Sequence, residues 1–461
     1  MGLVQLYSFP YASSLCKVAL SPYILLGMSE IIASLDIGTS KICVVIGAQS
    51  QYDPNKLEVL GMGSAAADGI VRGMIVNIDK AAIAIRQALQ AAEEDSGINI
   101  NIVNVNISGK HVTGSCHHGS ITRDSIEEEI TVEDIKKLTS DMYRIVPPLG
   151  TEIVHAMPQA YTIDYEIVTQ DPVGMSGVKL EANFHIITAK AHAIQNVHKC
   201  IKKAGVEAEM VMASALAASL ALLSEEEKEA GVCLIDFGSS IVNLVVFFDA
   251  IIRYTATIPL GGHMITSDIQ QSCMVLERQA ELLKIKFGSI EPNALATEAV
   301  VTIPGLRNRT PKEVVTTNLN KIIQARVEEI GTFIHEEIVR SGFYEKLVAG
   351  MVVTGGSANL PGLPSMLQQI TGLDTRLGFP DEYLEEGSRK QLRDPSYATA
   401  VGLALAGFKT LDYREAYYRA AQSADLNFTK KNVKKAKKSS FSFARMITKT
   451  KAFLVDDYDD H

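Results

Sequence analysis

The stretch Ile31-Ile32-Ala33-Ser34-Leu35-Asp36-Ile37-Gly38-Thr39-Ser40-Lys41-Ile42-Cys43-Val44-Val45-Ile46-Gly47 decides how this chain is read. Two short runs rich in Ile and Val, Ile31 to Leu35 and Ile42 to Gly47, flank a polar segment containing Gly38. That is the pattern of a β-hairpin with a tight tip. Asp36 opens the tip. The arrangement returns far down the chain as Val232 to Ile235, then Asp236-Phe237-Gly238-Ser239-Ser240, then Ile241 to Phe248. Two acid-headed hairpins predict two related half-domains, which can face each other across a cleft.

Outward from the first hairpin, strands and helices alternate. Leu57 to Gly61 reads as a strand. Asp79 can cap a helix whose apolar positions Ile83, Leu89 and Ala92 lie near one face and which Gly97 ends. Ile102 to Ile107 then closes a βαβ-like unit. Residues 110–188 have another texture: Thr131 with Asp134 three residues on forms an approximate capping box, and long alternating strands are predicted at Ile153 to Ile167 and Lys179 to Thr188. This reads as an inserted α+β subdomain. Helices follow at Ala193 to Ala204 and, rich in small residues, at Ala213 to Leu223. Leu260-Gly261-Gly262 precedes a helical region in which Glu281 and Lys284 share one face. Finally, the apolar strand Met351 to Val353 runs straight into Thr354-Gly355-Gly356-Ser357.

Composition sets limits. With 461 residues, 47% hydrophobic and 21% charged, the chain can bury a sizeable core. The 44 basic against 53 acidic residues, a formal net charge of −9, argue against a nucleic-acid partner for the whole chain. Six scattered cysteines make no C-x-x-C pair, and His117-His118 has no ligand spacing around it. Neither a disulfide framework nor a zinc site is indicated, which fits a reducing cytoplasm. No uninterrupted apolar run reaches the length of a spanning helix. Residues 1–29 read as an N-terminal extension, with Met28 the expected start.

Two acid-headed tips, two Gly-Gly turns and a Glu/Lys pair are what a nucleotide clamp needs. Backbone amides at glycine-rich turns take phosphates, carboxylates hold Mg²⁺ through waters, and long polar side chains reach the ribose. The candidate nucleotide-binding residues are Asp36, Gly38, Thr39, Ser40 and Lys41 on the first tip, and Asp236, Gly238, Ser239, Ser240 and Asn243 on the second. Gly261, Gly262, Glu281, Lys284, Gly355, Gly356 and Ser357 complete the set. Asp36 and Asp236 are the candidate metal residues, and no catalytic residue is singled out. At these positions the chain resembles the actin, Hsp70 and hexokinase superfamily: Asp36 to Thr39 is similar to its first phosphate motif, Asp236 to Asn243 to an altered second one, and Thr354-Gly355-Gly356 to its adenosine motif.

The resemblance narrows over Ser108-Gly109-Lys110-His111, Met157 to Tyr165, Asp171-Pro172-Val173-Gly174-Met175-Ser176-Gly177-Val178 and Pro395 to Leu403. These stretches resemble the FtsA family of bacterial actin-like division proteins, from about residue 30 to 410. The resemblance implies an α/β, actin-like ATPase fold of two lobes around a nucleotide cleft. The first lobe would comprise 30–109, 189–230 and about 395–410, with 110–188 inserted. The second would comprise 231–262 and 341–394, with a distal small subdomain at 263–340 that binds the C-terminal peptide of FtsZ, near Arg309 and Lys312. It further implies ATP and Mg²⁺ as cofactors, self-assembly into filaments, and recruitment of later division proteins through the insert. In the family the second tip carries three glycines and a carboxylate; here Ser239, Ser240 and Asn243 stand instead. Serines at a tip requiring φ > 0 would be strained by about 1 kcal/mol, so weak or altered ATP binding and slow or absent turnover are expected.

The C-terminal end carries separate chemistry. Nine of the 44 basic residues lie within 429–451, where no acid occurs, which leaves a body near −18. Residues 411–440 read as a basic linker. At 100° per residue, Phe443, Met446, Ile447, Thr450, Phe453 and Leu454 share one sector of a helix over 441–455, opposite Arg445 and Lys449. Such a helix lies in the plane of an anionic membrane, although the acidic end, 456–461, opposes it. The leading function is a structural adaptor at the septum, peripheral to the cytoplasmic side of the inner membrane. The alternatives are a superfamily kinase or ATPase, which would need an intact phosphate loop, and a PilM-like pilus-assembly protein.

Overall fold

In the computed structural model, which describes residues 31–53, 55–123, 128–293, 298–304 and 310–410, one sheet plan occurs twice. In the first sheet β1 (Ile31–Ile37) and β2 (Lys41–Gln49) form the hairpin, and β3 (Leu57–Ala66) adds antiparallel to β2. A two-residue pair follows, β4 (Ile70–Val71) with β5 (Met74–Ile75). On the other side of β1 lie β6 (Ile102–Ile107) and then β11 (Glu207–Ala213), both parallel. The second sheet repeats this with β12 (Val232–Phe237), β13 (Val242–Phe248) and β14 (Ile251–Ile258) antiparallel, and β17 (Met351–Thr354) and β18 (Thr375–Leu377) parallel. The orders β3-β2-β1-β6-β11 and β14-β13-β12-β17-β18 superpose element for element, as the two echoing hairpins predict. These elements belong to one compact unit reaching Gly407; a second unit begins at Phe408, of which only 408–410 are described.

Each sheet buries one face under helices. On the first, α1 (Ile78–Ser96) and α3 (Ala191–Ala204) enclose Leu35, Ile42, Val44, Ile46 and Val105. Asn77, not Asp79, caps α1: its side chain accepts from the Lys80 N–H at 3.0 Å, while Asp79 lies in the first turn, where its charge suits the helix dipole. The buried face is Ala81, Ala82, Ile85, Ala88, Leu89 and Ala92, whereas Ile83 is 56% exposed. Alanines face the sheet because α1 lies almost on its backbone: a Cβ on Gly63 would sit 2.1 Å from the Ala88 carbonyl. The second sheet is covered by α6 (Gly262–Cys273), α7 (Glu277–Phe287), α8 (Thr316–Arg340) and α9 (Leu363–Thr371) around Ile235, Val353, Ile323, Ile334 and Leu367. The ribbon β15 (Val300–Ile303) with β16 (Lys312–Val315) adjoins α8.

The inserted segment has its own core of Leu138, Phe184, Leu180, Ile186 and Ile163. Its sheet, ordered β7-β10-β8-β9, contains β7 (Val112–Thr122), β8 (Thr151–Ile163), β9 (Ile167–Thr169) and β10 (Lys179–Lys190), with α2 (Val132–Met142) alongside. The capping box of Thr131 and Asp134 is present. The long strand predicted over Ile153 to Ile167 is instead broken at Asp164 and Tyr165, whose φ of 49° and 67° turn the chain back as β9. Between the sheets lies α4 (Ser214–Leu222), whose residues are all buried, ahead of the short α5 (Glu225–Ala230). The helix starting at 398 meets α4 at Gly402, where a Cβ would stand 1.8 Å from the Ala217 carbonyl.

No side chain fits at that crossing. Gly402→Ala should therefore lower the unfolding free energy by about 3 kcal/mol, the upper end for overpacking, whereas Gly97→Ala, open but at φ 71°, should cost about 1 kcal/mol. Urea titrations read by circular dichroism check both.

Candidate functional site

The two hairpin tips lead to one carboxylate pair. Asp36 and Asp236 are the penultimate residues of β1 and β12, each half-buried. Burial pushes the Asp36 carboxyl up to about 7, and repulsion from Asp236 adds to it while Lys41 opposes it. Burial likewise pushes Asp236 up to about 6, moderated by a hydrogen bond from Asn243. Each carboxylate is held by an asparagine. Asn106 Nδ2 donates to Asp36 Oδ1 at 2.7 Å and Asn106 Oδ1 accepts from the Ile37 N–H at 2.7 Å. Asn243 Nδ2 donates to Asp236 Oδ2 at 3.0 Å, and Thr257 donates to Asn243 Oδ1 at 3.1 Å. An amide can feed a carboxylate a proton without supplying a charge. The pair is thus positioned but not neutralised.

Both tips close through glycine for reasons of space. The Gly38 N–H donates to the Lys41 carbonyl at 3.1 Å and the Gly238 N–H to the Ile241 carbonyl at 3.0 Å; an added Cβ would lie 2.6 and 2.9 Å from those oxygens. Neither glycine has a positive φ, and neither do Ser239 and Ser240. The strain expected of these serines is therefore absent: the tip turns within conformations that any L residue adopts, and glycine is required only at Gly238. Among the described residues the backbone N–H groups of Thr39, Ser40, Ser239 and Ser240 donate to no protein acceptor. Tip amides without a protein acceptor, next to a carboxylate pair, have the chemistry to take phosphate oxygens carrying a divalent cation.

The second lobe gathers its candidates by direct contact. Gly261 and Gly262 abut the second tip: the Gly262 N–H donates to the Gly238 carbonyl at 3.1 Å, and a Cβ on Gly261 would stand 2.7 Å from that oxygen. Ser357 Oγ donates to the same carbonyl at 3.0 Å. Gly355, at φ 92°, lies so close to Asp236 that a Cβ would be 2.6 Å from Oδ1, which leaves glycine as the residue for that turn. On α7, Glu281 and Lys284 pair at 2.8 Å; Lys284 Nζ also donates to the Gly262 carbonyl at 3.0 Å and to Thr266 Oγ1 at 2.8 Å. Lys41, half-buried, donates from Nζ to Ser396 Oγ at 2.8 Å and stands 3.2 Å over the Tyr397 ring, with burial holding its ammonium below the usual lysine range.

Lys312 lies apart from this assembly. It begins β16, and its Nζ donates to the Met274 carbonyl at 3.0 Å. Arg309 and the helix over 441–455, with Phe443, Arg445, Met446, Ile447, Lys449, Phe453 and Leu454, lie outside the described residues. Among the described residues no helix is long and apolar enough to cross a membrane. Sequence reasoning missed Asn106, Ser108, Thr257 and Ser396. A signal existed for the first: β6 reads Ile-Val-Asn-Val-Asn-Ile, and polar residues inside a buried strand require partners.

Comparison with known proteins identifies the family. The family model described as cell division protein FtsA matches residues 233–402, and the model of the SHS2 domain inserted in FtsA matches 109–188. The chain is 35% identical over 377 residues to the FtsA of Borreliella burgdorferi and 36% identical over 380 residues to that of Neisseria meningitidis serogroup B, covering 82% of this chain and 90% of each relative. Among solved structures, the PilM-PilN type IV pilus biogenesis complex matches with a TM-score of 0.59 at 17% identity, over 82% of this chain and 98% of that one. MreB5 of Spiroplasma citri bound to ADP matches with a TM-score of 0.50 at 13% identity, over 84% and 98%. At such identities these two likenesses speak for an actin-like fold alone. With two curated relatives above one-third identity over nearly their whole length, the chain belongs to the FtsA family of cell division proteins.

Proposed function

We propose that this protein binds ATP with Mg²⁺ in the cleft, assembles with its own copies into an actin-like filament and tethers FtsZ to the membrane. The site of action is the cytoplasmic face of the bacterial inner membrane at the division septum. The observation that carries this reading is the convergence of both acid-headed tips and both Gly-Gly turns on one cleft floor. Asp36 and Asp236 hold Mg²⁺ through waters. The amides of Thr39, Ser40, Ser239 and Ser240, with Lys41, receive phosphates, and Glu281 and Lys284 lie beside Gly262 to meet the ribose, opposite Gly355, Gly356 and Ser357. The Mg²⁺ bound with ATP would supply the positive charge that the Asp36–Asp236 pair lacks. Turnover is slow or absent, because Asn243 places an amide where a carboxylate would act as base.

The subdomain at 263–340 takes the FtsZ C-terminal peptide at Lys312 and Arg309; Lys312 stands next to Met274, which is 81% exposed, so a cation and an apolar side chain share that surface. Residues 110–188 contact a neighbouring copy and later division proteins. The basic linker and the helix over 441–455 bind anionic lipid. Nucleic acid has no part in this.

Four outcomes follow. For the carboxylate pair, folded-state values of about 7 and about 6 exceed the unfolded one, so the stability that protonation contributes is complete below the unfolded value and lost as pH rises through those two. The ATP-free protein should lose stability over that window, and Mg²⁺·ATP should raise the melting temperature more at about pH 8 than at about pH 5.5. Asp236→Asn should weaken ATP binding at least about tenfold, the loss of one charge-assisted site, as calorimetry would read; unchanged affinity rules out the cleft assignment. The full chain should pellet with anionic liposomes and a chain ending at Ser440 should not. Lys312→Glu should reduce co-sedimentation with FtsZ filaments by about fivefold, the worth of one partly exposed ion pair.

A further inference from the structure

Asn243 does more than hold Asp236. Its Nδ2 also donates across the cleft, to Ser108 Oγ at 3.1 Å. Ser108 directly follows β6, at the point where the chain leaves the first sheet for β7 and the inserted subdomain. An asparagine amide has two N–H donors; here one serves the nucleotide-site carboxylate and the other the root of the insert. Asn243 is 6% exposed, so neither bond competes with bulk water.

The insert meets the same hairpin a second time. Asn243 lies on β13, and β13 pairs with β14 through Asn243 opposite Thr257. On β14, Thr255 Oγ1 bonds His185 Nε2 of β10 at 2.9 Å, and the Ile252 carbonyl accepts from Gln159 Nε2 of β8 at 2.7 Å. Beside Ser108 lies a cavity of about 20 Å³ whose lining is mostly apolar, with Ser108, Ser214, Asn243, Thr255 and Thr257 as its polar members. That is room for a single water, and each lobe contributes hydroxyls to its wall.

We propose that Ser108 is a positioning residue: through Asn243 it fixes the Asp236 carboxylate, and through the same bond the state of the nucleotide site is passed to the inserted subdomain. This rests on the nucleotide reading above and adds to it the route by which the cleft reaches the surface assigned to assembly. When Asp236 changes its partners, Asn243 must share its two donors differently, and Ser108 is the group at the far end. The contacts at Thr255 and Ile252 then carry a movement of the β13–β14 hairpin into the sheet of the insert rather than into a loop.

The test uses the full chain and amide hydrogen exchange over β7, with and without Mg²⁺·ATP, in the unsubstituted protein, Ser108→Ala and Ser108→Thr. ATP should slow exchange in β7 by about fivefold or more in the unsubstituted protein, the worth of one buried hydrogen bond. With ATP saturating each variant, Ser108→Ala should lose that slowing, and Ser108→Thr, which keeps the hydroxyl, should restore it. The proposal is overturned if the slowing survives in Ser108→Ala, if Ser108→Thr behaves as Ser108→Ala, or if the unsubstituted protein binds ATP with no change in β7. If the unsubstituted protein binds no ATP, the nucleotide reading fails by itself, and the link is decided in the nucleotide-free chain. There Asp236→Asn should alter β7 exchange and Ser108→Ala should add nothing to it; independent, additive effects overturn the link.

Discussion

Two carboxylates held close with too little positive charge between them organise this molecule. Asp36 and Asp236 come from different lobes, and each is raised well above the ordinary range by burial, the first also by the second. Like charges brought together in a low-dielectric site cost energy unless a cation or a proton intervenes. The fold meets that cost with neutral donors: Asn106 from one lobe and Asn243 from the other orient the carboxylates and leave their charge in place. Elsewhere in the cleft each positive group already has partners, Lys284 on Glu281 and Lys41 on Ser396 and Tyr397. A site so arranged relieves its repulsion by holding a proton or by taking in a cation.

The duplicated sheet explains how the arrangement arises. Each copy places its hairpin tip at the same end of the same strand order, so bringing the copies face to face makes the two tips meet without any long-range instruction in the sequence. The two helical layers differ because their tasks differ. The first lobe uses alanines and glycines, which draw α1 down onto the sheet, while the second uses larger aliphatic residues under four helices.

Much of this was legible in the residues themselves. Hairpins declare themselves through Ile and Val runs around polar tips, and capping through Thr131 and Asp134, because those signals are local. The α1 cap was misassigned because Asn77 and Asp79 are both good capping residues and only the path of the chain from Gly69 chooses between them. The strain expected at Ser239 and Ser240 presumed a left-handed tip, a backbone property that residue identity does not determine when glycine is needed merely for room. Partners such as Asn106 with Asp36, on neighbouring strands of one sheet, and Ser108 with Asn243, across the two lobes, lie far apart in sequence, so spacing carries no trace of them; their only mark is polarity where a strand should be apolar.

At the contact between α4 and the helix from 398, backbone lies against backbone at Gly402 with nothing to compress. Two rods touching at a bare point can swivel about it but cannot slide past one another without a neighbouring side chain striking a main-chain carbonyl. A change in the spacing of these two helices is thereby blocked at Gly402, and a change in their crossing angle is what the contact leaves free.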